Sequence, residues 1–231
     1  NITATVFSFW LVALGDDTQT VEANLGSHFV VARCYIHAHA TLGGRRAVAL
    51  NAGTSAVIDS HLTGMEVGAD SQAIAGWNGP GPYKIVNNYL AGAGENILFG
   101  GSDPTVSNLI PSDITIQRNH FIKPLTWKVG DPTYAGIHWS IKNHLELKNA
   151  QRVLIEGNLF EQVWADGQTG NSIIFKSSNS SNTAPWSACR DVTFRYNLIR
   201  NSGELFRLAG TNAVFTSDPT KRIYMHNNLF Y

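Results

Sequence analysis

The sequence predicts an all-β protein, a right-handed parallel β-helix of about seven coils. Three observations lead to this fold: an eight-residue pattern that recurs in one phase, a second apolar run after the copies, and few helix-favouring runs. The clearest copies are VLIEGNLF at 153–160, VTFRYNLI at 192–199 and IYMHNNLF at 223–230. Recurrence of this kind is typical of a stacked structural repeat.

Each copy alternates apolar and polar residues, as strands do, and then breaks at one polar position. Asparagine suits that position because it tolerates the left-handed backbone of a sharp bend, and because its amide can bond to the same residue of the next coil. We therefore expect a ladder of stacked asparagines along the coils. Its positions, 26 to 39 residues apart, are Cys34, Ser60, Asn88, Asn119, Asn158, Asn197 and Asn228.

A second strand is predicted in each coil after the repeated pattern. The loops that connect this strand to the next copy vary in length, as insertions in a β-helix do, and we expect them on one side, the binding side. The handedness follows from the rule for parallel crossover connections. The predicted second strands are 46–51, 72–76, 95–100, 144–149, 172–177 and 205–210.

Length and composition limit the classes of protein to which the chain can belong. The 231 residues are expected to form a single β-helix domain, with a less regular or capping N-terminal segment at 1–27 and the coils at 28–231. The chain starts at Asn1 and stops directly after a repeat, so we expect it to be part of a longer one. The formal net charge of zero argues against a nucleic-acid partner. The longest apolar stretch, 6–15, is too short to span a membrane.

The two cysteines, Cys34 and Cys189, lie far apart in the sequence. In a stack whose coils touch only their neighbours they should not meet, so both are predicted to be free thiols.

Two segments, GAGENILFGGSD at 92–103 and LELKNAQRVLIEGNLFE at 145–161, carry a resemblance to a known group. They resemble bacterial secreted right-handed parallel β-helix repeat proteins of the pectate-lyase-like superfamily, and the resemblance covers most of the chain from about residue 28 onward. It implies the fold and a secreted location, extracellular or periplasmic. It does not specify the activity, because this superfamily includes lyases, hydrolases, epimerases, esterases and adhesive proteins.

The order of GENILFGGS and then LELKNAQRVLIEGN is also similar to β-helical lyases of the alginate lyase and chondroitinase B type. The similarity implies that Glu95, Asn96 and Glu146 hold calcium against a uronate carboxylate, and that Lys148 removes the C5 proton of the sugar. In that family an arginine on a neighbouring coil assists the leaving group. Here Lys176 occupies the next coil, and Arg207 lies one coil further on.

The residues themselves also predict a charged face on the second strands. If Leu147, Phe175 and Leu208 point inward, the alternation turns four charged side chains outward. Coils ~4.8 Å apart would place two lysines side by side, where each depresses the pKa of the other, and a cationic row suits an anionic polysaccharide. The alternative is that these are ordinary exposed charges of a sheet. The four residues are Glu146, Lys148, Lys176 and Arg207.

Three tryptophans, Trp77, Trp127 and Trp186, lie in loops rich in Gly, Pro or Asn. Loop aromatics can stack on sugar rings and so bind substrate, or they can pack onto the coils and hold the loops in place.

We therefore expect an extracellular polysaccharide-processing protein, most consistent with a lyase that cleaves a uronate-containing glycan by β-elimination. The alternative is a non-catalytic β-helix that serves as a glycan-binding, adhesive or structural module. A glycoside hydrolase would need two carboxylates at a defined separation, and the pairs to test are Glu95 with Glu146 and Glu161 with Asp166.

Overall fold

A computed structural model describes residues 1–231 and shows a right-handed parallel β-helix of about seven coils. Its 22 strands, numbered β1 to β22 along the chain, form three sheets in which every pairing is parallel. Each full coil contributes one strand to each sheet. Along the chain these are a strand of the repeated pattern (sheet C), a short strand directly after the ladder position (sheet A) and the predicted second strand (sheet B). The two helices, Glu22–Asn24 and Leu125–Trp127, are single 3₁₀ turns, and neither is long or apolar enough to cross a membrane.

Sheet C contains the strands of the repeated sequence pattern. Inward residues of this sheet stack on the equivalent residues of the next coil, as Ile116 does on Ile155 and Ile155 on Phe194. The seven strands are β3 (Phe29–Ala32), β6 (Gly53–Ile58), β9 (Gly81–Val86), β12 (Ser112–Gln117), β15 (Ala150–Glu156), β18 (Cys189–Arg195) and β21 (Lys221–His226).

Sheet A follows directly after the ladder position. Its strands are as short as two residues, and Phe121 and Phe160 stack inside it with ring centroids 4.3 Å apart. The eight strands are β1 (Ile2–Thr3), β4 (Tyr35–His37), β7 (His61–Met65), β10 (Tyr89–Gly92), β13 (His120–Ile122), β16 (Leu159–Val163), β19 (Leu198–Ser202) and β22 (Leu229–Phe230).

Sheet B is formed by the second strands that the sequence predicts. Leu147 and Phe175 pair in register and are fully buried, whereas Leu208, in the last strand of the sheet, is 51% exposed. The seven strands are β2 (Ser8–Leu14), β5 (Gly44–Leu50), β8 (Gln72–Gly76), β11 (Glu95–Phe99), β14 (Asn143–Leu147), β17 (Asn171–Ser177) and β20 (Glu204–Thr211).

The N-terminal segment 1–27 takes part in the stack. Strand β1 pairs with β4 and strand β2 pairs with β5, both in parallel, so regular structure begins before residue 28, where the sequence places the first coil.

The predicted asparagine ladder lies at the turn from sheet C to sheet A. The Nδ2 of Asn88 donates to the Oδ1 of Asn119 at 2.9 Å, and the same bond links Asn119 to Asn158 at 3.0 Å and Asn158 to Asn197 at 3.0 Å. The last link, from Asn197 to Asn228, is 3.2 Å long. Each amide also bonds to backbone groups, which satisfies a polar column that is buried along most of its length.

The backbone at this turn corrects one part of the sequence interpretation. The left-handed residue is the one before each ladder position and not the ladder asparagine, as shown by φ values of 57° at Asn87, 52° at Arg118 and 54° at Tyr196. The ladder residue is therefore selected for its amide, and the preceding residue absorbs the bend.

The loops also differ from the prediction that they lie on one side. Insertions occur between sheets B and C, at 100–111 and 178–188, and between sheets A and B, at 123–142 and 164–170. The insertions therefore border sheet B on both sides, and the outer face of sheet B lies between them.

Both cysteines are free, as predicted. Cys34 lies at the end of the ladder, where its backbone N–H donates to the Oγ of Ser60.

Candidate functional site

The outer face of sheet B carries the charged residues that the sequence singled out. Glu146 lies in β14, between Leu98 of one neighbouring strand and Ile174 of the other. Ile174 in turn pairs with Arg207 of β20. The predicted alternation is thus confirmed at Glu146 and Arg207, which project on the same side of the sheet, two coils apart.

Glu146 is held by neighbours on its own coil. Its side chain is 3% exposed, and its Oε1 lies 3.4 Å from the Nζ of Lys148. The Nδ2 of Asn143 lies 3.5 Å from the other carboxylate oxygen of Glu146 and donates at 3.2 Å to the Oε1 of Gln168. A lysine, a carboxylate and two amides are thereby fixed relative to one another at the edge of the face.

A pocket of about 240 Å³ opens beside this group. Glu146, Lys176 and Arg207 line it together with Ile174, and Gln168 and Thr169 of the loop 164–170 form its side. Lys148 does not line the pocket; it follows Leu147 on the coil of Glu146, one coil before Lys176. The structure therefore brings three of the four predicted charged residues to the pocket and places Lys148 beside one of them, Glu146.

A second carboxylate, Glu95, lies beneath this surface. It accepts a hydrogen bond of 2.6 Å from the Nε2 of Gln72, and its Oε1 lies 3.9 Å from the Nζ of Lys142. Burial raises the pKa of Glu95, and the negative charge of Glu146 raises it further. Glu95 therefore differs from Glu146 in being enclosed by protein.

Two lysines belong to this site although sequence reasoning did not select them. Lys142 bonds to Asp70, and burial together with the charge of Lys148 lowers the pKa of its ammonium group. Lys123 is fully buried and donates to the backbone carbonyls of Gly92, Ala93 and Gly94, the turn that leads into Glu95. Burial lowers the pKa of Lys123 and the charge of Glu95 opposes that shift. A lysine two residues past a strand's inward Phe, as in HFIK, was the available signal, because residues two apart on a strand face the same side.

The three residues proposed to hold calcium do not form one set of oxygen ligands. Asn96 follows Glu95 on β11, but its amide donates to the carbonyls of Leu90 and Ile122 in sheet A, inside the β-helix. Calcium takes six or more oxygen ligands, and no cluster of three or more His, Cys, Asp or Glu side chains suited to a metal occurs in the chain. Glu95 and Glu146 have lysines as their positive partners instead.

The three tryptophans proposed to bind sugar are packed against other parts of the protein. Trp77 is 3% exposed in a cluster with Ala75 and Leu98, and Trp127 is 6% exposed in a separate cluster. Trp186 is half-buried and donates through Nε1 to the carbonyl of Leu109 at 3.1 Å. These contacts match the alternative that the tryptophans hold the loops in place.

The carboxylate pairs considered for a glycoside hydrolase have other partners. Glu161 pairs with Arg200 at 2.6 Å and with His120 at 3.0 Å. Asp166 accepts from His138 at 2.6 Å and from the backbone N–H of Ile141 at 2.9 Å. Glu95 lies buried behind Glu146, and the two do not face each other across a cleft that the structure defines.

Comparison of the chain with protein-family models, with curated proteins and with solved structures finds no match.

Proposed function

We propose that the protein is a polysaccharide lyase that cleaves an extracellular, uronate-containing glycan by β-elimination. The observation that carries the proposal is the pocket lined by Glu146, Lys176 and Arg207, with Lys148 held 3.4 Å from Glu146. Elimination from a uronate needs three things: a positive group on the carboxylate, a base at C5 and an acid at the bridging oxygen. The pocket and the adjoining Lys148 offer cations on three successive coils for these tasks.

The roles follow from position. Arg207 can bind the uronate carboxylate through two parallel hydrogen bonds, which withdraws electrons from C5 and makes its proton more acidic. The side-chain amine of Lys148 takes the C5 proton, and Glu146 holds the lysine in place. The electron pair of the C5–H bond forms the C4–C5 double bond as the C4–O bond breaks. Lys176 donates a proton to the departing oxygen, so that one chain end is unsaturated and the other is a hydroxyl.

A panel of alginate, polygalacturonate and chondroitin tests this proposal through the ultraviolet absorbance of the unsaturated end, with calcium added and with a chelator. Lys148→Arg keeps the positive partner of Glu146 but removes the base, because an arginine stays protonated. We expect it to lower the rate by about 10²-fold or more. Lys84→Arg, at an exposed lysine of sheet C, is the matched control and should retain the wild-type rate. Equal rates for Lys148→Arg and the wild type would refute the assigned base.

The second candidate is a non-catalytic glycan-binding module. It is favoured by the pairing of Glu146 with Lys148 at 3.4 Å, because charges on the face of a sheet pair in this way without any catalytic role. Folded wild-type protein that forms no unsaturated ends on any member of the panel would favour this candidate over the lyase.

A further inference from the structure

The turn from sheet C to sheet A repeats one geometry in each coil and projects two rows of side chains to the outside. One row is the left-handed residue before the ladder position, and the other is the first residue of the sheet A strand after it. The buried ladder forms the floor between the rows. In the first four coils the outer row that precedes the ladder is Arg33, Asp59, Asn87 and Arg118, and the row that follows it is Tyr35, His61, Tyr89 and His120.

The second row is a continuous line of rings in contact, edge to face at both ends and stacked in the middle. The centroids of Tyr35 and His61 are 5.1 Å apart, and those of Tyr89 and His120 are 5.3 Å apart. His61 and Tyr89 lie face to face at 4.2 Å with 14° between their planes. Because these two rings cover each other's faces, their edges point outward and present a phenol hydroxyl and imidazole nitrogens. Neither the hydroxyl of Tyr89 nor the ring of His61 has a hydrogen-bond partner within the protein.

The first row supplies hydrogen-bonding groups with negative and with positive charge. Asp59 accepts from the Nδ2 of Asn87 at 2.8 Å through one oxygen and keeps the other free. The guanidinium groups of Arg33 and Arg118, at the two ends of the row, form no ion pair with the protein. The space between the rows is an open groove of about 680 Å³, within the size range of ligand sites.

We propose that this groove binds a single linear polysaccharide chain that lies parallel to the β-helix axis. The groups along both walls repeat every ~4.8 Å, a spacing close to that of successive sugar units in an extended chain. The side chains of Asp, Asn, His and Tyr hydrogen-bond to sugar hydroxyl groups, and Arg donates to hydroxyl and carboxylate groups alike. A nucleic acid fits less well, since its phosphates would lie beside the carboxylate of Asp59.

The groove ends where the second row changes from polar aromatic residues to Leu159 and Leu198. It lies at the junction of sheets C and A, whereas the pocket proposed for catalysis lies on sheet B. The groove is therefore a binding site separate from the cleavage site, and its existence does not depend on lyase activity.

Electrophoresis in native gels that contain alginate, polygalacturonate or glucomannan tests the groove. We expect at least one polysaccharide to retard the wild type, and Tyr89→Ala and Arg118→Gln each to raise the dissociation constant about tenfold. Tyr224→Ala, at a tyrosine of sheet C that is 62% exposed, is the matched control and should be retarded like the wild type. Unfolding midpoints equal to that of the wild type show that the groove variants are folded.

Lys148→Arg separates the two proposals, because it should lose cleavage and keep full retardation. Retardation of Tyr89→Ala and Arg118→Gln equal to that of the wild type overturns the groove. Free migration of the wild type in all three gels also overturns it, whatever the cleavage assay shows.

Discussion

Replacing Asn158 with alanine removes an amide from the middle of the ladder, where water cannot take its place. The Oδ1 of Asn158 accepts from the backbone N–H of Asn119 at 2.9 Å and from its Nδ2 at 3.0 Å, and its own Nδ2 donates to the carbonyl of Ile116 at 2.9 Å. Each buried group that loses its partner costs about 1–3 kcal/mol. With three such groups and a small cavity, we expect the free energy of unfolding to fall by about 3–5 kcal/mol.

Asn228→Ala is the matched control at the end of the same ladder. Asn228 accepts the same two bonds, from the backbone and side chain of Asn197, but it is only half-buried. Water can replace the lost amide there, so the expected cost is about 1 kcal/mol. Urea unfolding followed by circular dichroism measures both variants, with the slopes compared to detect a change of mechanism. Costs within about 1 kcal/mol of each other would refute the argument that burial sets the contribution of the ladder.

Two further predictions concern buried ionisable groups. Burial raises the pKa of Glu66 to about 7, above the unfolded value near 4.5, so its ionisation destabilises the fold as pH rises between those values. Glu66→Gln should therefore be more stable than the wild type by up to about 3 kcal/mol at about pH 8 and should differ little from it at about pH 4. Thermal unfolding at both pH values measures the difference. An equal gain in stability at the two pH values would contradict the prediction. Lys123→Met takes the ammonium donor from three buried carbonyls, of which those of Ala93 and Gly94 keep a backbone donor, and should cost about 1–3 kcal/mol by urea unfolding. Lys128→Met, at an exposed loop lysine, should change stability by less than about 0.5 kcal/mol, and similar losses in the two variants would refute a special role for Lys123.

The sequence predicted sheets B and C and the ladder because these elements carry their own signals. Alternation of period two marks the strands, and the ladder residue recurs in phase with them. Sheet A was not recognised as a separate sheet. Several of its strands, such as His120–Ile122, contain a single inward residue, and one residue cannot display a period.

The candidate site could be predicted only where it lies on strands. Glu146 and Arg207 were placed correctly because the alternation fixes their face and the stacking of coils fixes their neighbours. Gln168 and Lys142 were missed because they belong to loops that follow no repeat, and their positions depend on how those loops fold over sheet B. The burial of Trp77 depends on loop packing in the same way.

The ladder also gives the molecule an electrical direction. In every link from Asn88 to Asn228, the amide nitrogen of one coil donates to the amide oxygen of the following coil, so the five side-chain dipoles point the same way. An amide unit has a dipole of about 3.5 D, and aligned units polarise one another in a medium of low dielectric constant. A chain with a formal net charge of zero thus contains an axial polarity, with amide nitrogens directed toward the C-terminal coil and amide oxygens toward the N-terminal one.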